Sequence, residues 1–313
     1  MLRHILRRLL LAIPTLIVVI TIIFVIVRVI PGDPARARLG DQASQEAVEQ
    51  LQEELGLNQS LWEQYIDYMI GLAQGDLGRS LVNRAPAWDQ IQTVLPHTIE
   101  LTIVSILIAL LLGIPTGVIT ALKRNTWIDY TGRILSLAGL SAPAFYIGIL
   151  LIYVFAARLG WFPAIGAGDF SDPVDNLRSL VLPAITLGLV ETAYVARMTR
   201  SVMLNVLSDD YVRTARAKGL TERSVLLKHA LRAGLVPIVS LVGLFTVGLI
   251  GSSVLTEEVF ARPGLGSLMV GATGQRDYTL LQAIMVVYAL IIVLINIIVD
   301  LVYTMVDPRV RKA

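Results

Sequence analysis

The chain contains no cysteine, which excludes disulfides and every form of thiol chemistry. Its three histidines, His4, His97 and His229, lie far apart, and none stands in a metal-ligand spacing such as H-x-x-x-H or H-E-x-x-H. No metal centre is expected. A G-x-x-x-x-G-K-[ST] phosphate loop is missing, so ATP has no cradle on this polypeptide. A G-x-S-x-G nucleophile elbow is missing too, and the scattered histidines offer no triad partner by spacing. The chain therefore does not read as an enzyme in its own right. Charge is scarce as well: 16% of residues are charged and the net charge is +2, too little to suggest a nucleic-acid partner.

What fills the 313 residues instead is apolar, with 55% hydrophobic residues and a mean hydropathy of +0.70. A soluble domain of this size would not stay in solution with that balance, so the chain reads as an all-α, multi-pass integral membrane protein. Six apolar runs reach the length of about 20 residues that a helix needs to cross the hydrocarbon core. They are placed at Leu9–Ile30, Thr98–Leu122, Arg133–Ala156, Val181–Val202, Val236–Leu255 and Gln282–Met305. The opening "MLRHILRR" resembles the basic flank of a signal peptide. The apolar run after it is too long and lacks a small-x-small cleavage site, so it is expected to be a retained signal anchor.

Basic residues set the expected orientation. Seventeen of the 26 Lys and Arg fall on one side of the six spans, the side holding both termini, and nine on the other. The positive-inside rule makes the richer side cytoplasmic, so both termini are expected inside. The domain reading is a cytoplasmic N-terminus and first span over residues 1–30, an extracytoplasmic segment 31–97, a transmembrane core 98–305 and a cytoplasmic tail 306–313. Within the outer segment, "SQEAVEQLQEEL" predicts a helix with Ser44 as N-cap. "SLWEQYIDYMIGL" places Trp62, Tyr65, Ile66 and Met69 at amphipathic helix spacing. A small helical cap over the outer mouth is one reading of this segment, and a solvated connector is the other.

One stretch breaks the apolar pattern from within the core: "DYVRTARAKGLTERSVLLKHAL", Asp210 to Leu231, inside a loop placed at residues 203–235. It alternates small and basic residues up to Lys218. Gly219 can take the left-handed conformation that ends a helix, and Thr221 restarts one with an apolar face over "VLLKHAL". The expected product is a helix–turn–helix at the inner face of the membrane. Taken alone, it suits an amphipathic hairpin touching anionic lipid headgroups as well as a docking site for another protein.

"DYVRTARAKGL", followed by "HAL" and Pro237, resembles the EAA-type loop of ABC importer permeases in the peptide and nickel family. The resemblance covers nearly the whole chain. "LRRLLLAIPTL" and "VIPGDPA" resemble the start of the dipeptide/oligopeptide permease B-type subunit, as do "GDLGRSL", "EEVFARPGLGSLMV" and "NIIVDLVYTMVDPRVR". The loop also departs from the general pattern. Arg213, Thr214 and Ala215 stand where Glu-Ala-Ala is usual, His229 to Arg232 stand at Ile-x-Leu-Pro, and Ala233 replaces a common Asn.

The resemblance implies six transmembrane helices of the importer permease type and the translocation of peptides or related small solutes. Tyr211, Arg213, Ala215, Lys218, Gly219, Leu220 and His229 would then belong to the coupling helix that sits in a cleft of an ATPase. It also implies a second homologous permease, two ATPase subunits carrying the ATP and magnesium, and an extracytoplasmic solute-binding protein. The location implied is a bacterial cytoplasmic membrane, and this chain itself is expected to bind no cofactor.

Two acids lie at membrane depth. Asp300 reads as structural. Glu191 sits near the middle of the fourth span, with Arg197 on another helical face, and a pathway-lining role and a hydrogen-bonded structural role fit it equally. Pro115, Pro143 and Pro183 lie in or at spans, as hinge elements or as static packing kinks. An ion-coupled secondary transporter is the alternative function, although no internal repeat supports it. An intramembrane enzyme would need a second convergent group beside Glu191.

Overall fold

The computed structural model describes residues 2–29, 39, 43–54, 56 and 58–306. The motif residues "IPGDPA" and the tail from Asp307 lie outside the described residues. Hydrocarbon leaves no water for backbone N–H and C=O groups, so apolar runs of this length must satisfy them internally as helices. The structure meets that demand. In chain order the elements are α1 (Leu2–Val29), α2 (Gln45–Glu54), α3 (Leu61–Ala73), α4 (Ala87–Leu122), α5 (Trp127–Ser141) and α6 (Ala144–Leu151). They continue with α7 (Pro173–Ser208), α8 (Asp210–Ala217), α9 (Glu222–Ser224), α10 (Leu231–Val259), α11 (Leu265–Gly274) and α12 (Tyr278–Val306). Among the described residues no strand occurs, only an isolated bridge between Arg79 and Pro86.

Among the described residues, five helical stretches are long and apolar enough to cross a membrane, and a sixth is formed if a bent pair counts as one span. That pair corrects the expected continuous span Arg133–Ala156. α5 ends at Ser141 and α6 starts at Ala144, with 99° between them, before a π-helical stretch Ile152–Arg158. The cause is Pro143: it removes an N–H, and its ring forces Ala142 out of the helical region to ψ 125°. By contrast, α1, α7 and α10 continue through Pro14, Pro183 and Pro237.

Several helices also overrun their apolar runs. α7 starts eight residues before Val181, where Asp172 accepts the amides of Val174 and Asp175 and Pro173 takes the first helical position. A polar first turn carries no hydropathy signal, so the sequence hides it.

Contacts divide the chain into two units, one of Met1–Ile5, His97–Pro263 and Ile295–Ala313, the other of Leu6–Pro96 and Gly264–Leu294. In the first, α7 packs on α10, α5 and α6. Leu101 of α4, Leu180, Ala184 and Leu187 of α7, and Leu249 of α10 form one core; Val118, Ala121, Met203 and Ala230 form another.

In the second unit, Ala87 and Ile91 pack with Leu265 and Ala272 of α11 and with Leu280, Ala283, Ile284 and Val287 of α12. Asp277, 2% exposed, accepts the Ser80 hydroxyl and the amides of Leu81 (3.0 Å) and Leu280 (3.1 Å), so it ties the "GDLGRSL" turn to the start of α12.

α2 begins as expected, with the Ser44 hydroxyl accepting the Ala47 amide at 3.3 Å. α3 forms as expected, with Ser60 and Glu63 in a reciprocal capping box, and its apolar stripe is only partly buried, at Tyr65 and Met69. Trp62 is 68% exposed and Ile66 38%, whereas Gln64 is buried. Polar and aromatic contacts with α1 decide the rotation: Arg28 donates to Gln64 at 2.9 Å, Thr21 and Tyr65 share a hydrogen bond of 2.8 Å, and Phe24 lies against Tyr65 and Tyr68.

Lipid is as apolar as leucine, so helices in a bilayer are held by close packing rather than by expulsion from water. Gly113 and Gly117 of α4 face α7. A Cβ on Gly117 would lie 2.6 Å from the Ala196 carbonyl oxygen and 2.5 Å from Thr199 Cβ, and backbone cannot step aside. Gly251 of α10 has nothing within 4 Å of the same position. Gly117→Ala is expected to destabilise by about 1–3 kcal/mol through overpacking. Gly251→Ala is expected to gain up to about 1 kcal/mol in helix propensity. Melting of the detergent-solubilised variants checks this, and shifts of the same sign would contradict it.

Candidate functional site

The basic stretch forms a closed hairpin. α8 ends in a Schellman motif: the Gly219 amide bonds the Arg216 carbonyl at 2.9 Å and the Leu220 amide bonds the Ala215 carbonyl at 3.4 Å. Gly219 has φ +78°, a conformation that costs a residue with a Cβ about 1–2 kcal/mol. Thr221 stands at the N-cap of α9 as expected, but its side chain makes no capping bond. Glu222 closes the turn instead. It takes both arms of Arg216, Nε at 3.1 Å and the terminal nitrogen at 2.7 Å, in a forked pair that is exposed to solvent. Beneath it Val212, Ala215 and Val225 form a small core with Val206 and Leu207 of the last turn of α7.

The expected docking residues divide accordingly. Tyr211, Arg213, Lys218, Gly219 and Leu220 are exposed, and Tyr211 and Leu220 show 43% and 42% of their surface. Ala215 is buried, and its small side chain lets α8 close onto Val225. His229 is half-buried within the π-helical turn Val225–Ala230, which replaces the regular helix expected over "VLLKHAL" and leads into α10. Partial burial, then the neighbouring Asp209 carboxylate, raise the Tyr211 phenol above its ordinary value, so it stays a neutral donor at physiological pH.

Glu191 is half-buried on α7 and lines a small cleft with Ala109 of α4 and with Val242, Phe245 and Thr246 of α10. Among the described residues its carboxylate makes no hydrogen bond and no ion pair. Thr246, the other polar group in the cleft, donates to the Val242 carbonyl at 2.8 Å. Arg197 lines a different cleft, as the helical spacing implied. Asp300 is half-buried on α12.

Two polar networks escaped the sequence reading. Arg262, fully buried, donates to Glu100 at 2.7 Å and reaches the Ser179 hydroxyl at 3.5 Å; Asn176 donates to the other Glu100 oxygen. Nearby, the buried Glu257 accepts the Thr98 hydroxyl at 2.8 Å. Burial pulls the Arg262 guanidinium below its ordinary value while Glu100 and then Glu257 oppose the shift, and a group starting so high stays charged. Toward the other end of α7, Arg200 grips the buried Asp129 with both arms at 2.7 and 2.9 Å. These partners are 71 to 162 residues apart in sequence, and no local pattern joins them. The available signals were a charge inside "EEVFARPGLG" and an acid in the first turn of α5.

Comparison with known proteins agrees with this geometry. Residues 113–312 match the family model described as binding-protein-dependent transport system inner membrane component, and residues 1–102 match its N-terminal model. The dipeptide transport system permease protein DppB of Alkalihalophilus pseudofirmus is 42% identical over 99% of this chain and 100% of its own length. The glutathione transport system permease protein GsiC of Escherichia coli K12 is 42% identical over 99% of both chains.

Among solved structures, the MetNI methionine ABC transporter in an inward-facing conformation matches with a TM-score of 0.59 at 20% identity, covering 69% of this chain and 95% of that one. An amino acid ABC transporter crystallised with histidines matches at 0.53 and 16%, covering 69% and 94%. At such identities the likeness is one of fold. Sequence and fold thus place the chain among the binding-protein-dependent transport system inner membrane components, as a permease subunit of an ABC importer.

Proposed function

We propose that this subunit pairs with a second homologous permease to enclose a pathway for peptides or related small solutes, with the hairpin of α8 and α9 gripped by an ATPase subunit. The carrying observation is the hairpin itself. Its core, its Schellman turn and the Arg216–Glu222 pair leave Tyr211, Arg213, Lys218 and Leu220 presented on a pre-formed surface, so docking costs little ordering entropy. Both termini and the hairpin lie in the cytoplasm of a bacterium, in line with the distribution of Lys and Arg. ATP and its magnesium are held by the partners. Closure of two ATPase subunits would displace the hairpin and tilt α7 and α10, changing the side to which the pathway opens. A solute-binding protein delivers the substrate from outside.

The substrate class is supported by the relatives, whose names specify a dipeptide and glutathione, both of which carry a free amino group. Glu191 offers a matching charge. A half-buried carboxylate without a protein partner is expensive in a span unless it meets water or a cation.

Three expected outcomes follow from this reading. Gly219→Trp imposes about 1–2 kcal/mol of strain at φ +78°, enough to cut ATPase co-purification five- to thirtyfold. Gly219→Asn tolerates a left-handed φ and retains most of the complex. Since a Cβ at 219 meets nothing within 4 Å, membrane insertion is unaffected in both, and a normal yield and normal ATP-driven uptake with Trp would refute the docking role.

For orientation, Gln59→Cys in this cysteine-free chain reacts with an impermeant thiol reagent from the extracytoplasmic side; reaction from the cytoplasmic side alone would invert the topology.

Uptake of a dipeptide and of its N-acetylated form separates the roles of Glu191. Glu191→Gln lowers uptake of the free amine several-fold and changes the acetylated form little. An equal response of the two substrates would remove the charge role, and failed complex assembly would make Glu191 structural.

A further inference from the structure

A second cleft, of about 150 Å³, opens between α4, α5 and α7, toward the end of α7 that leads into the hairpin. Its polar lining comprises Thr116, Thr120, Arg133, Ser136, Arg197 and Arg200. One water needs about 10–15 Å³ of such space, so there is room for a hydrated anion or a phosphodiester group. Small residues make the room: Gly132 on α5 and Ala196 on α7 form part of the wall.

The charges there do not cancel. Three guanidinium groups, those of Arg133, Arg197 and Arg200, line the cleft, no acid among the described residues lines it, and the nearby buried Asp129 pairs with Arg200 and Arg133 alone. Asp129 is already committed. Arg200 takes both of its oxygens at 2.7 and 2.9 Å, and the Asn125 amide adds a third bond at 3.0 Å. Arg133 forms a looser ion pair with Asp129 at 3.6 Å, without a hydrogen bond, and lies over the Tyr130 ring at 4.6 Å. Arg197 is exposed and forms neither a hydrogen bond nor an ion pair among the described residues. The Ser136 hydroxyl likewise has no hydrogen-bond partner among them, which leaves it free to donate. One cation without an ion pair among the described residues, one loosely paired cation and a donor therefore line a cleft within a spanning bundle, where unbalanced charge is costly.

We infer that this cleft binds a phosphate-bearing anion, and that in the membrane the occupant is the headgroup of an anionic phospholipid. The depth of the cleft selects the source. Trp127 and Tyr130, 74% and 53% exposed, open α5 within two turns of Arg133, and exposed aromatics of this kind mark the headgroup level. The neighbouring outer faces of α4 and α5, with Ile119, Leu122, Ile134 and Leu135 exposed, are surfaces for the acyl chains. Basic pockets between spanning helices are an established way to hold such headgroups. Arg133 and Arg197 take the phosphate oxygens, while Arg200 remains with Asp129.

The test uses the full chain in lipid-stripped detergent solution, with three additions compared at equal concentration: dioleoyl phosphatidylglycerol, dioleoyl phosphatidylcholine and inorganic phosphate. Phosphatidylglycerol is expected to raise the melting temperature by several degrees and phosphatidylcholine to do less than half as much. The Arg133→Ala/Arg197→Ala variant loses the difference. A rise with inorganic phosphate equal to that with phosphatidylglycerol, also lost in the variant, supports the anion site and overturns the lipid as its source.

If the double variant fails to fold, Arg197→Gln, which breaks no hydrogen bond or ion pair among the described residues, replaces it. Native mass spectrometry then reads retention of phosphatidylglycerol over phosphatidylcholine, expected at threefold or more in the parent chain and near unity in the variant. Equal effects of the two lipids without a phosphate effect, or a variant that keeps the full preference, would overturn the site.

Discussion

A guanidinium that reaches no water must be answered by a carboxylate, and Arg262 fixes the first unit through that demand. Its partners come from α4 (Glu100) and α7 (Ser179, with Asn176 bonding Glu100), and it follows directly on α10, whose Glu257 receives Thr98 from α4. Sliding any of these helices by one turn would strand a buried charge, at a cost of about 3–5 kcal/mol. The Asp129–Arg200 pair does the same for α5 and α7 further along. On α7, Ser179 and Arg200 are separated by about 32 Å at 1.5 Å per residue, close to the thickness of the hydrocarbon core. The two networks therefore sit near its edges, and Glu191 lies between them with no hydrogen bond or ion pair among the described residues.

The positions of two buried charges, Arg262 and Asp277, depend on how a helix ends. α10 and α11 finish in the same Schellman geometry as α8, with the Arg262 amide on the Glu257 carbonyl and the Asp277 amide on the Ala272 carbonyl, both at 2.8 Å. The turn throws the following residue back across the helix end, which is how Arg262 and Asp277 enter their buried sites. In α8 the left-handed position is Gly219; in the other two it is Ala261 at φ 44° and Arg276 at φ 54°, residues that adopt it at a cost.

This difference explains what was legible in the sequence. Gly219 announces its turn, and the hairpin was readable; Ala261 and Arg276 announce nothing, and the sites they create were not. The spans were readable because twenty apolar residues leave one physical solution, and mid-span Glu191 stood out against them. The break at Pro143 was visible as a proline yet not as a 99° bend, since a proline inside α7 or α10 leaves the helix continuous. The stripe on α3 is only half realised because an apolar pattern reports which residues prefer burial, and here Arg28 and Thr21 draw Gln64 and Tyr65 toward α1 and leave Trp62 and Ile66 exposed.

The hairpin has two roots of different stiffness. On one side its core of Val212, Ala215 and Val225 is shared with Val206 and Leu207, so α8 and the last turn of α7 behave as one solid piece. On the other, the wide π turn Val225–Ala230 intervenes before α10. In the proposed docking, a torque applied at Leu220 reaches α7 directly through that shared core and reaches α10 across the π turn. The two spans joined by one hairpin need not move by the same angle, and the shaft with the direct linkage is the one that carries Glu191.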